Sequence, residues 1–188
     1  PDSVTNIGMQ AFRFCASLAS VTVGKSVTSI GDSAFSLCTS LTSVSIPESV
    51  TNVGGSAFSL CGNLTNVTIG NSVAGIGTWA FDSCASLTSV TVPASVRTIG
   101  DYAFRYCSSL TAITVDPLNT VYSSVDGVLF NKDQTTLIQC PGGKAGSFTV
   151  PASVTTIGSS AFYFCHSLTS ISIPDSVTNM GSYTFHSC

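Results

Sequence analysis

Apolar positions return along this chain at fixed offsets whose character changes within each unit. In Gly24–Ile46, Ala34, Leu37, Cys38 and Leu41 fall at i, i+3, i+4 and i+7, the spacing of one face of a short helix. Leu41, Val44 and Ile46 then carry the pattern of a strand buried on one face, with Ser43 and Ser45 on the other. The pattern predicts a helical turn followed by a strand, and it recurs. Cys15, Cys38, Cys61, Cys84, Cys107, Cys165 and Cys188 stand 23 residues apart, except for one step of 58. Phe12, Phe35, Phe58, Phe81, Phe104, Phe162 and Phe185 take the same steps. Each unit reads [P/G]-x-S-V-x-x-[IVM]-G-x-x-[AT]-F-x-x-C-x-[SN]-L-x-x-[VI]-x-[VI], and 35 residues interrupt the array once. The glycine recurring at Gly8, Gly31, Gly54, Gly77, Gly100, Gly158 and Gly181 implies either positive φ or a backbone approach too close for a Cβ.

One such unit has no core of its own and must stack on its neighbours. Stacking buries Val27, Ile30, Ala34, Phe35, Cys38, Leu41, Val44 and Ile46 in columns. Each large apolar side chain then contributes roughly 1.5–3 kcal/mol against chain entropy. This explains an odd composition. The 188 residues are 44% hydrophobic but only 8% charged, and 32 Ser and 23 Thr supply the water-facing surface instead. A net charge of −3 with six scattered Lys and Arg excludes a nucleic-acid footprint and a polybasic membrane patch. No apolar run nears the ~20 residues of a membrane span. The chain starts at Pro1 and stops at Cys188 in mid-pattern, which reads as a segment of a longer repeat protein.

The motif SVTSIGDSAFSLCTSLTSVSIP (Ser26–Pro47) is similar to the BspA-like class of leucine-rich repeats, and VDGVLFNKDQTTLIQCPGGK (Val125–Lys144) resembles the island such proteins insert between regular coils. The resemblance implies an α/β fold: a right-handed solenoid with a parallel β-sheet on the concave face and short helical turns on the convex face. It also implies a cell-surface or extracellular protein that serves as a binding or adhesion module. The expected organisation is a single solenoid over 1–188, with regular coils in 1–115 and 151–188 and an irregular island in 116–150. Within the island, Val128–Phe130 and Leu137–Ile138 read as a β-hairpin around a polar turn, Asn131–Gln134.

Catalytic and cofactor chemistry finds no foothold. Gly75-Ile76-Gly77-Thr78-Trp79-Ala80 matches a dinucleotide fingerprint, but Gly77 and Ala80 are merely repeat columns with no βαβ unit around them. His166 and His186 occupy different columns and join no triad. The cysteines lack metal-ligand spacing, and Asp116, Asp126 and Asp133 fit no calcium loop. No enzyme activity, cofactor or metal is expected. The in-frame cysteines read as a ladder of buried free thiols. Asn63 and Asn66 open glycosylation sequons, meaningful only in a chain secreted by a eukaryote.

Two surfaces are candidates for a protein or glycan ligand. The outward strand column Thr22, Ser45, Thr68, Thr91, Thr114 and Ser172 offers hydroxyls but no Trp, Tyr or Arg anchor. On the turn side, Trp79 and Tyr102 share one column on adjacent coils, with Arg105 and Tyr106 beside them. Alternatives are self-association through uncapped solenoid ends, giving a surface filament, and an ice-binding Ser/Thr array.

Overall fold

The computed structural model describes all of residues 1–188 and holds sixteen strands, with no helix. Each coil contributes a two-residue strand ahead of its glycine and, in most coils, a longer strand after its cysteine. The short strands β1 (Asn6–Ile7), β2 (Ser29–Ile30), β4 (Asn52–Val53), β6 (Gly75–Ile76) and β8 (Thr98–Ile99) form a five-stranded parallel sheet in strict 23-residue register. The long strands β3 (Ser43–Ile46) and β5 (Asn66–Ile69) pair in parallel, as do β7 (Ser89–Val92) and β9 (Ala112–Val115), and β13 (Gly146–Thr149) and β15 (Leu168–Ser172). Alternation along them buries Val44, Ile46, Val67, Ile69, Val90 and Val92 and leaves the hydroxyl residues outside.

The helical turns anticipated between the two strands of each coil are not formed. The second residue before each repeat phenylalanine and the second after it are left-handed, as at Ser33 (φ 54) and Leu37 (φ 63). A left-handed residue at every fourth position stops an α-helix from propagating. The N–H groups of Ser33, Phe35 and Leu37 donate instead to the carbonyls of Gly55, Ala57 and Ser59 in the next coil, at 2.7–2.9 Å. Ala34, Ser36 and Cys38 close tight turns on Gly31, Ser33 and Phe35. All six donors from Ser33 to Cys38 are thereby satisfied, half of them by the neighbouring coil. The burial that mimicked a helix survives at Ala34, Phe35, Cys38 and Leu41. Leu37, on a left-handed position, is only half-buried, and its counterpart Leu60 is exposed.

The repeat glycines that stack on a preceding regular coil owe their place to close approach. None of them takes a positive φ; a Cβ on Gly31 would stand 2.7 Å from the Met9 amide nitrogen, and one on Gly77 would stand 2.5 Å from the Gly54 carbonyl carbon. Side chains obey the same stacking. Phe12, Phe35, Phe58, Phe81 and Phe104 lie parallel, with centroids 5.0–5.6 Å apart. The thiols of Cys38, Cys61, Cys84 and Cys107 donate to the carbonyls of Phe12, Phe35, Phe58 and Phe81 at 3.1–3.2 Å. Cys38, Cys61, Cys84, Cys107, Cys140 and Cys165 are buried free thiols, whereas Cys15 and Cys188 are exposed, so the buried ladder does not extend to its end members. Burial pushes Cys61 and Cys107 up to about 12.

Residues 116–150 replace a coil with an antiparallel meander, β10 (Tyr122–Val125), β11 (Val128–Asn131) and β12 (Thr136–Gln139). Strands β11 and β12 flank the polar turn after Asn131, with Phe130 opposite Leu137. A second hairpin, not anticipated from the sequence, joins β10 to β11 through Asp126 (φ 50) and Gly127 (φ 74), the left-handed pair of a tight hairpin turn. Strand β12 then pairs in parallel with β14 (Thr156–Ile157), and β14 with β16 (Asn179–Met180), returning the chain to coil register. The core divides along β11: Leu129 joins the 33-residue cluster of the first coils, while Val128 and Phe130 join the 11-residue cluster of the last.

Candidate functional site

The meander supplies strands to the lateral sheet but no turn arc, so the turn side of the solenoid has a notch. One wall is the arc at Gly100–Arg105 and the other the arc at Gly158–Tyr163. In a regular coil, a residue in Tyr102's column donates its N–H to the coil above, and one in Ser159's column accepts from the coil below. Here the Tyr102 N–H and the Ser159 carbonyl have no protein partner. The floor is Thr136, Ile138 and Gln139 of β12, and the enclosed volume is about 260 Å³. The notch is blind. At its far end Tyr106 and Tyr163 share a hydroxyl–hydroxyl hydrogen bond of 3.1 Å, and the Tyr106 ring meets Phe164 edge-on at 4.4 Å.

The turn-side residues singled out in the sequence converge on the first wall. Trp79 stacks on Tyr102 with centroids 6.3 Å apart and is 43% exposed. The Arg105 guanidinium sits 5.2 Å from the Tyr102 ring centroid and 4.8 Å from that of Tyr106, within cation–π range. Its Nε donates to Asp82 Oδ1 at 2.7 Å. Burial works against the charged form of Arg105, yet that hydrogen bond and the Asp82 charge hold its pKa above the ordinary value. The hydrogen bond shared with Tyr106 likewise raises the Tyr163 hydroxyl above its ordinary value. Trp79, Tyr102 and Tyr106 all occupy left-handed positions (φ 57, 60 and 57), an uncommon place for bulky side chains.

Asp82, Tyr163 and Phe164 were not anticipated as members of this patch. Arg105 and Tyr163 do share a repeat column, the residue after the repeat phenylalanine, which was the available signal. His186 extends the same column and stacks on Tyr163 at 5.1 Å, while His166 meets Phe164 edge-on at 4.9 Å; both histidines are exposed.

The family profile of the BspA type leucine rich repeat region matches residues 1–131 and 142–188, in six copies. The chain belongs to this family. Among solved structures, the BspA-type array is similar to the pneumococcal vaccine antigen PcpA, at 28% identity and a TM-score of 0.84, over 100% of this chain and 47% of that one. It is also similar to a leucine rich cell surface protein from Faecalibacterium prausnitzii, at 34% identity and a TM-score of 0.78, over 98% of this chain and 56% of that one. A leucine rich repeat protein of T. pallidum matches at 27% identity and a TM-score of 0.64, over 98% of this chain and 70% of that one. The chain thus spans about half the length of the first two. No curated protein matches it. The shared fold is the right-handed leucine-rich-repeat solenoid with parallel strands.

On the long-strand face of this BspA-type array, Thr22, Ser45, Thr68, Thr91, Thr114 and Ser172 are all exposed. Ser45 stands opposite Thr68, Thr91 opposite Thr114, and Ser172 opposite Thr149 of the island. Thr22 lies in a segment that forms no strand. The Thr91 and Thr114 hydroxyls bond to one another at 3.0 Å, so this column satisfies part of its own hydrogen-bonding capacity. The two candidate surfaces stay separate, for none of these six residues lines the notch.

Proposed function

We propose that this chain is a non-enzymatic recognition module of a surface or secreted protein, and that it holds a protein or glycan ligand on the turn side, around Trp79, Tyr102, Arg105, Tyr106 and Tyr163. One observation carries the reading. The residue types that dominate binding energy, Trp, Tyr and Arg, gather at the single break in the repeat, while the long hydroxyl columns carry none. Loops and insertions on a rigid repeat scaffold are where binding residues concentrate. Support for a surface location comes from similar structures described as a vaccine antigen and a cell surface protein. Leucine-rich repeat surface proteins as a family are generally non-catalytic.

The test is adhesion to immobilised epithelial-cell and matrix glycoproteins. The double substitution Trp79→Ser and Tyr102→Ser suits it, because Ser33, Ser56 and Ser160 already occupy that column. Adhesion should fall by about tenfold or more, the loss expected from removing central aromatic anchors. Replacing Thr68 and Thr91 by Ala on the opposite surface should leave it intact. Undiminished adhesion by the Trp79/Tyr102 variant refutes the assignment.

A further inference from the structure

The notch has the composition of a small-molecule site. Asp101, Arg105, Thr136, Gln139, Ser159 and Ser160 line it together with Tyr102 and Tyr163. The Asp101 carboxylate, the Thr136, Ser159 and Ser160 hydroxyls, the Gln139 amide and the terminal nitrogens of Arg105 have no hydrogen-bond partner in the protein; only Arg105 Nε is engaged, by Asp82. The backbone adds the unpaired Tyr102 N–H and Ser159 carbonyl. Solvent-facing donors and acceptors that the protein leaves free, converging on a concave site between two aromatic walls, suit a ligand rich in hydroxyl groups. Charge narrows the class. Asp82 neutralises Arg105, so Asp101 leaves the notch slightly negative, which disfavours an anion. Shape narrows it again. The contact of Tyr106 with Tyr163 and Phe164 joins the two walls at one end. A volume of about 260 Å³ is below the roughly 300–1,000 Å³ of drug-sized pockets.

We propose that the notch receives a neutral terminal sugar of a glycan, its hydroxyls bonded by Asp101, Arg105 and Gln139 between Tyr102 and Tyr163. The inference rests on the recognition reading above and specifies its ligand.

The chain holds a single tryptophan, Trp79, and it stacks on Tyr102, so its emission reports on the notch without labelling. Wild-type protein is titrated with methyl glycosides of galactose, glucose, mannose and N-acetylglucosamine, and screened on a glycan array that also carries sialylated termini. At least one neutral sugar should give a saturable emission change and matching array signal. Tyr163→Ser and Asp101→Ala, checked for unchanged thermal unfolding, should weaken it about tenfold or more. Ser36 and Ser59 already occupy the Tyr163 column, so that substitution suits the fold. Three results each overturn the proposal: no neutral sugar acting on wild-type protein, capture of sialylated termini alone, or binding unmoved by both substitutions. Adhesion to glycoproteins that survives enzymatic deglycosylation, with no sugar response, removes the sugar while leaving the recognition reading in place.

Discussion

Between Phe12 and Phe104 five rings lie parallel within 5°, and each coil repeats the solution of the coil before it. Between Phe104 and Phe162 that stack gives way to Phe130 and Phe148, the latter tilted 50° against Phe162 at 6.2 Å. The polar chemistry differs in the same way. Coils meet their carbonyls with interchangeable rungs: Thr65 donates to Thr42, Thr111 to Thr88, and the Cys38, Cys61, Cys84 and Cys107 thiols each to the phenylalanine carbonyl 26 residues back. The island has no identical neighbour, so every buried polar group there needs its own device. Asn119, fully buried, donates to the carbonyls of Pro93 and Val96 and accepts from the N–H groups of Val121 and Tyr122. The Lys144 ammonium reaches both the carbonyl and the carboxylate of Asp126 at 2.8 Å, pinning the hairpin turn. Columns therefore tolerate residues borrowed from other coils, and the island does not.

The largest test of this contrast removes a ring from the middle of the stack. Phe58→Ala opens a cavity between Phe35 and Phe81 and should cost about 3–5 kcal/mol in urea unfolding. Phe12→Ala, at a ring 38% exposed, should cost clearly less. Equal losses at the two positions would mean that the stack is not what holds the coils together. The island's counterpart is Asn119→Ala, which leaves the half-buried N–H groups of Val121 and Tyr122 without their acceptor and takes one donor from each of the Pro93 and Val96 carbonyls. A loss of about 3 kcal/mol follows from the penalty for polar groups left unpaired. Asn63→Ser, a swap to the residue filling most of that column, should stay within about 0.5 kcal/mol. Comparable effects at Asn119 and Asn63 would erase the distinction between the two regions.

Much of the regular array was legible because burial follows the 23-residue period: the Phe, Cys and Leu columns and the alternation of the long strands all stand where the sequence puts them. The helical turn was misread, since Ala34, Cys38 and Leu41 have helical spacing whether the arc is a helix or a chain of turns. What decides is backbone handedness at Ser33 and Leu37, and neither residue advertises it as Gly or Asn would. The Asp126-Gly127 hairpin, by contrast, carried a recognised dipeptide signal that went unread. Within the candidate site, Trp79 beside Tyr102 was readable from the period. Tyr106 against Tyr163 was not, because that contact spans 57 residues and requires knowing that the island supplies a strand without an arc.

The effect that vanishes at neutral pH lies in the thiol column and is exposed only by alkali. Burial raises Cys107 from 9.0 to about 12, so folded protein keeps this proton while the unfolded chain loses it. Above pH 9.0 the unfolded state binds fewer protons than the folded state, and stability falls as pH rises until the folded thiol itself ionises near 12. Each such thiol removes about 1.4 kcal/mol per pH unit in that window and contributes no slope below it. Cys107→Ala should therefore flatten the alkaline slope of unfolding free energy by one proton's worth while leaving the slope at neutral pH unchanged. Thr68→Ala, which removes an exposed side chain and no titratable group, makes the control and should keep the full wild-type slope. If both variants show that slope, the carbonyl-bonded column titrates like free cysteine, and regular coils lose the one electrostatic feature that separates their interior from the island's.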